Sequence, residues 1–301
     1  MSTFKEIEEN LEIISTIKNI ASTYQDIADL RMKQIREKVL KNRELFRELF
    51  NTYQRIKSGY SSSLKNKWAR KEKTSFRQPK KERVIVFSSA NQFFYGALIL
   101  NIWKEVQRYL EKNKADLVVV GRTGKYLAEG SGFGNKMFYF ELNDVKPEEK
   151  RIGEILEFIK NYKKIIVFHG RYEKVLSQRP VMNEISGRLP SENKFEKVYS
   201  YLFEPSPEVI LEFFETEIIA ALFNQTILEH QLSRYASRVI AMYKATENVK
   251  KMRQKLSIVK NKLKRQKLNK KQIEKFSVLL NYGSKRTNII DSGRSGGNRI
   301  L

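Results

Sequence analysis

The sequence predicts an α/β protein with an added coiled coil, in which two long terminal helices flank a parallel-sheet domain. Three observations carry this. Residues 1–58 contain neither glycine nor proline, and neither do residues 208–282. Glycine and proline cost a helix interior about 1 and 3 kcal/mol, so both stretches read as uninterrupted helix. Between them, apolar strand-like runs alternate with helical patterns, the signature of parallel strands joined by right-handed crossovers.

The first helix, in residues 1–58, offers Ile7, Leu11 and Ile14, then Phe46, Leu49, Tyr53 and Ile56, as its apolar face. Through Gln54 it balances 9 basic against 9 acidic residues. Residues 59–82 open with Gly59-Tyr60-Ser61-Ser62-Ser63 and continue lysine-rich to Pro79, the composition of a flexible basic connector. The middle domain, 83–207, begins with Val84-Ile85-Val86-Phe87 as a buried strand. Ala97 to Lys112 follows as a helix, and Leu117-Val118-Val119-Val120 as a second strand ending at Gly121. Lys150 to Tyr162 reads as helix, Ile165-Ile166-Val167-Phe168 as a third strand, and Val198 to Phe203 as an edge strand.

The last helix, 208–282, would extend roughly 110 Å, more than one globular core can cover. Leu228, Leu232, Tyr235, Val239, Met242, Ala245, Val249, Met252, Leu256, Val259 and Leu263 recur along it at steps of 3 and 4. This is a coiled-coil seam, with a stammer where Val239, Met242 and Ala245 follow at two steps of 3. Met242 and Val249 are expected inside the seam, and Lys250, Lys251 and Lys260 outside it. The lysine-rich flanks would repel in a homodimer, so the simplest partner for this helix is the first one. Residues 283–301, with four glycines and a charge of +3, read as a disordered basic tail.

The net charge of +24 is concentrated. Residues 55–83 carry +9, residues 231–282 carry +13 and the tail +3, leaving the rest near neutral. Such a stripe suits an acidic protein surface or a polyanion, unless it is only a solvated helix face. One reading is therefore a coiled-coil protein that binds nucleic acid through its basic C-terminal helix. Against it, the helix lacks a regular interleaving of aromatic and basic residues, and its apolar seam needs a partner of its own.

Catalytic chemistry is poorly supported. The chain has no cysteine, which excludes disulfides and thiolate chemistry. Gly121-Arg122-Thr123-Gly124-Lys125-Tyr126 resembles a phosphate loop, but has two residues between its glycines where four are needed, and Tyr where Ser or Thr should hold magnesium. It reads as a strand-to-loop turn. Gly130-Ser131-Gly132-Phe133-Gly134 lacks the third glycine of a dinucleotide motif and reads as a mobile loop. His169 and His230, the two histidines, stand apart in sequence. No catalytic residues, metal ligands or bound cofactors are expected. The acidic start lacks the apolar core of a signal peptide, and no apolar run approaches the ~18 residues of a membrane span, so a cytoplasmic chain is expected.

Tyr201-Leu202-Phe203-Glu204-Pro205-Ser206-Pro207-Glu208-Val209-Ile210-Leu211 resembles the segment that leads into the C-terminal helix of the gamma subunits of F-type ATP synthases. Arg238-Val239-Ile240-Ala241-Met242-Tyr243-Lys244-Ala245-Thr246-Glu247-Asn248 is similar to that family's Arg-Met-x-Ala-Met-x-x-Ala-Thr-Asp/Glu-Asn stretch, and Asn261 falls where its next typical Asn stands. Val119-Val120-Gly121-Arg122-Thr123-Gly124 is similar to its Gly-x-Lys-Gly turn.

The resemblance implies antiparallel terminal helices around a Rossmann-like foot domain. It implies a non-catalytic shaft in a hexamer of alpha- and beta-type subunits, which hold the ATP and magnesium. An epsilon-type subunit is expected at the foot, no direct nucleic-acid contact, and a membrane reached only through the complex at its inner face. It also implies that Arg238, Met242, Thr246, Asn248, Asn261, Lys264, Arg265 and Lys271 face the hexamer. Three departures stand out. The family's Ser-Asp-x-Gly-Leu-Cys-Gly loop is here Ser88-Ser89-Ala90-Asn91-Gln92-Phe93-Phe94. Its Ser-Glu becomes Ser233-Arg234, and its Arg-Gln…Ile-Thr-x-Glu becomes Lys264-Arg265…Leu268-Asn269-Lys270-Lys271.

Overall fold

A computed structural model describes residues 4–64, 79–134, 137–186, 204 and 206–294. In chain order they form α1 (Phe4–Leu64), β1 (Lys81–Ser88), α2 (Leu98–Lys112), β2 (Asp116–Val120), α3 (Arg122–Gly130), β3 (Met137–Phe140), α4 (Glu149–Ile159), β4 (Tyr162–Lys174), β5 (Ser177–Glu184) and α5 (Pro207–Arg294). The fold is two terminal helices around a mostly parallel sheet. It divides into a larger unit, Thr23–Tyr243, and a smaller one made of Met1–Ser22 with Lys244–Leu301.

In the larger unit the strand order is β3-β2-β1-β4-β5. β1 lies parallel to both β2 and β4, β2 parallel to β3, and β5 antiparallel to β4. Side chains alternate across the sheet as the two-residue period of a strand requires. Val84, Val86, Val118, Ile165 and Val167 face one layer, packed against Ile155 and Ile159 of α4 and Ile219, Phe223 and Ile227 of α5. Ile85, Phe87, Leu117, Val119, Ile166 and Phe168 face the other, under Leu98, Ile102, Trp103 and Val106 of α2. Part of the terminal helix α5 is thus one of the helices that cover the sheet.

Also in this unit, α1 runs antiparallel to α5. Tyr24 lies under Arg238, the Arg43 guanidinium bonds Glu229 at 2.8 Å, and the Tyr53 hydroxyl donates to Glu215 at 2.9 Å. Ala28, Ile35 and Val39 pack with Leu232 and Tyr235, and Tyr53 with Leu211 and Ile218. Burial along α1 follows an unbroken 4-3 repeat from Ile7 to Ile56. That seam passes through Lys18, Gln25 and Asn42, which the apolar pattern does not reveal. Asn42 Nδ2 donates to the carbonyl of Ala221 at 3.4 Å, and its Oδ1 accepts from Asn224 at 3.3 Å, a polar pair of the kind that fixes register in a coiled coil.

In the smaller unit Ile7, Ile14 and Ala21 of α1 and Val249 of α5 are buried. Lys260 turns toward α1, bonding Glu8 at 2.9 Å and covering the ring of Phe4, so it belongs to the seam and not to the outer face. On α5 in this unit, Ala245, Thr246, Val249, Leu256, Lys260 and Leu263 are buried or half-buried, whereas Met252, Arg253 and Val259 are exposed. The stems of long basic side chains can cover apolar surface, so the seam does not need an apolar residue at every position.

Four expectations change. α1 passes Gly59 and continues to Leu64, and β1 already includes Lys81 and Glu82, so the connector is shorter than 59–82. α5 passes Gly283 and ends at Arg294, because no proline follows Pro207 and a glycine weakens a helix without stopping it. Residues 122–130 form a helix instead of a loop, and β3 and β5 were not anticipated. Val198 to Phe203 lies outside the described residues, and β5 is the strand that borders β4. Its Pro180, which cannot donate to a ladder, is tolerated because β5 is an edge strand.

Candidate functional site

The chain leaves β1 through α2 toward β2, but leaves β3 through α4 toward β4 on the opposite side of β1. The carboxyl ends of β1 and β4 therefore form the switch point at which doubly wound sheets open a ligand crevice. Here that crevice is filled by α5. His230 Nε2 donates to the carbonyl of Ser89, beyond β1, at 2.9 Å, and its Nδ1 accepts the Gly170 N–H of β4 at 3.0 Å. These two bonds fix a neutral tautomer. Burial, with the nearby Arg234 charge adding to it, holds the His230 pKa well below the usual histidine value.

One turn further along, Arg234 Nη1 meets Asp144 Oδ1 at 2.5 Å and the Ser89 carbonyl at 3.2 Å, while Nη2 reaches the Asp144 carbonyl at 3.3 Å. Both side chains are 5% exposed, so this is a buried ion pair. Asp144 is also served by three other donors, the Asn91 and Gln92 N–H groups at 3.0 and 2.9 Å and the Tyr95 hydroxyl at 3.4 Å. Arg238 lies over the Tyr95 ring at 4.1 Å and donates to Gln92 Oε1 and the Phe93 carbonyl, each at 3.1 Å. Ser237 Oγ donates to the Tyr95 carbonyl at 2.6 Å. Burial pushes the Tyr95 hydroxyl up to about 12, with Arg234 opposing and Asp144 adding to the shift.

The crevice has no room for a nucleotide, since the gap left among Ser89, Gly121, Asp144, His230 and Arg234 is about the size of one water. The glycines of the 121–126 turn serve packing. At Gly121, with φ of 102°, a Cβ would sit 2.9 Å from the Ala90 backbone, and at Gly124 it would sit 2.7 Å from Ser89 Cβ. Both histidines are satisfied, His169 through the Gly170 carbonyl at 3.0 Å and Asn183 at 2.9 Å. Among the described residues no cluster of three or more His, Cys, Asp or Glu could hold a metal, and no helix is long and apolar enough to cross a membrane.

The residues that the family resemblance assigned to a hexamer contact fall into two groups. Arg238 and Met242 are buried within the chain, and Arg238 bonds the loop after β1. Thr246 is half-buried, whereas Asn248, Asn261, Lys264, Arg265 and Lys271 are exposed. From Lys250 to Lys275, α5 carries 12 basic residues and one acidic. Exposed Ile258, Leu268, Ile273 and Phe276 stand among them, giving a face that is both basic and apolar. Asp144 was not legible as a functional residue. The available signal was Arg234, a cation among residues that otherwise read as a seam, which requires a buried anion somewhere else in the chain.

Comparison with known proteins agrees with this geometry. A family model described as ATP synthase matches residues 3–274. An ATP synthase gamma chain of Ruthia magnifica is 22% identical, with 87% of this chain and 93% of that one covered. The gamma chain of Actinobacillus pleuropneumoniae is 23% identical over the same shares. Among solved structures, the rotor of the Euglena gracilis mitochondrial ATP synthase superposes with a TM-score of 0.56 at 16% identity, covering 87% of this chain and 98% of that one. The central stalk of the Tetrahymena thermophila enzyme gives 0.54 at 17% identity, covering 75% and 99%. The chain belongs to the ATP synthase gamma family, as a divergent member.

Proposed function

We propose that this chain is the central rotor shaft of an F-type or F-like rotary ATPase, a non-catalytic subunit that couples ATP hydrolysis or synthesis in an alpha/beta hexamer to rotation. The observation that carries the reading is α5 itself. One end of this family-matched helix is built into the α/β sheet, and a later stretch, Lys264 to Leu279, offers an exposed basic and apolar surface to a partner. ATP and magnesium belong to the partner subunits, an epsilon-type subunit meets the α/β domain, and the complex holds the chain at the inner face of the membrane. A nucleic-acid role has no support from the relatives, which are ATP synthase gamma chains.

Coexpression with alpha- and beta-type subunits tests this. The chain should copurify at one copy per hexamer, and alone it should hydrolyse no ATP. ATP turnover by the isolated chain that disappears with Lys125→Ala would overturn the reading.

A further inference from the structure

We propose that Arg234 and Asp144 are a torsional lock, a positioning pair that fixes the rotation of α5 against the α/β sheet so that helix and sheet turn together. The inference rests on the shaft reading above and assigns the place in this chain where torque passes.

Apolar packing alone does not fix a rotation well. The contact of Ile219, Phe223 and Ile227 with the sheet is non-directional, and Ile218 and Leu222 stand beside them on the helix as substitutes of similar size. The polar cluster has no such latitude. Successive helix positions differ by about 100°, so a slip of one position would carry Arg234 away from Asp144 and leave two buried charges apart.

The contacts also reach several chain segments at once. Asp144, in the loop after β3, takes donors from the loop after β1 through Asn91, Gln92 and Tyr95. Its carbonyl takes donors from α5 through Gln231 and Arg234. His230 adds Ser89 and the Gly170 amide of β4. One helix face is thereby keyed to three points on the sheet's carboxyl edge.

The test combines Asp144→Asn with Arg234→Met, which removes both charges together and avoids leaving either one buried alone. In the full-length chain, amide exchange across Asn91–Tyr95 should rise at least tenfold. In the assembled complex, revolutions of a bead on the α/β domain per ATP hydrolysed should fall at least twofold under viscous load.

The chain has no cysteine, so adding Gly170→Cys and Ser233→Cys creates one possible disulfide. A Cβ at Gly170 would lie 3.1 Å from Ser233 Cβ and 3.1 Å from Leu98 Cδ2, so a shift of a few tenths of an ångström brings the pair to the roughly 3.5–4.5 Å span of a disulfide. Oxidation should restore the coupling ratio and reduction should abolish it, which a general loss of stability would not do. If the double variant does not fold, Arg234→Lys keeps the charge but not the forked bonding, and should show a smaller loss in the same direction. Unchanged exchange and coupling, or a loss that oxidation does not rescue, would overturn the lock. A wild-type chain that turns no hexamer would overturn the shaft reading instead, and the exchange difference would then decide the lock alone.

Discussion

Two stretches of α5 are both rich in polar residues and behave in opposite ways. Every residue from Glu229 to Arg238 is buried, including Glu229, His230, Gln231, Ser233, Arg234, Ser237 and Arg238. Every residue from Lys264 to Leu279 is exposed. Composition alone does not separate them. In the first stretch the charged groups have specific partners, as Glu229 has Arg43, Arg234 has Asp144, and Arg238 has Gln92 and the Phe93 carbonyl. In the second, a run of like charges has almost none among the described residues. Buried polar groups need partners fixed in place, so the first stretch specifies the fold, and the second specifies what the chain meets.

The largest contrast should come from truncating one apolar side chain in each stretch's neighbourhood. Phe223→Ala opens a cavity between α5 and the sheet and should cost about 3–5 kcal/mol in urea unfolding. Leu268→Ala, at an exposed position, should cost less than about 0.5 kcal/mol. Similar losses at both sites would mean that the outer stretch is covered within the chain.

Acidity should probe the buried stretch next. Burial lowers the pKa of both His230 and His169, so the unfolded chain takes up protons first as pH falls. Stability should therefore be full above about pH 6.5, the unfolded value, and decline below it toward the folded values, by up to about 1.4 kcal/mol per pH unit per histidine. Urea midpoints between pH 8 and pH 5.5 measure this, and His230→Gln should flatten the decline. A midpoint that rises on acidification would break the assignment of neutral imidazoles.

The smallest effect on the chain alone belongs to the outer stretch. Lys264→Ala with Lys271→Ala should leave the unfolding midpoint nearly unchanged, within about 0.5 kcal/mol. The same variant should weaken hexamer binding, most clearly at low salt, where exposed charges are least screened. Binding that responds to neither charge nor salt would move the partner contact to the apolar side chains.

The parts of this contrast that the sequence revealed were those that depend on local chemistry. Val84–Phe87, Leu117–Val120 and Ile165–Phe168 are continuous apolar runs because both sheet faces are covered. The terminal helices were visible because nothing in them could break a helix. β5 was hidden by its Pro180 and its polar residues, and α3 by two glycines that serve close packing. The seams were only partly legible, because Lys18, Gln25, Asn42, Thr246 and Lys260 occupy positions that an apolar count assigns to the surface. The Asp144 centre depends on residues about 50 and 90 positions away, a separation that no local pattern encodes.

The antiparallel pairing of α1 and α5 also sets a timetable for synthesis. Tyr53 and its partner Glu215 are 162 residues apart, and Arg43 and Glu229 are 186 apart. At about 5–20 residues per second, α1 leaves the ribosome roughly 10–35 s before the helix that completes it. During that interval its heptad face has no intended mate, and neighbouring nascent chains carry the same face. Lys18, Gln25 and Asn42 interrupt that face with polar groups. Polar groups at seam positions lower the stability of pairing, so they weaken premature pairing of α1 with its own copy.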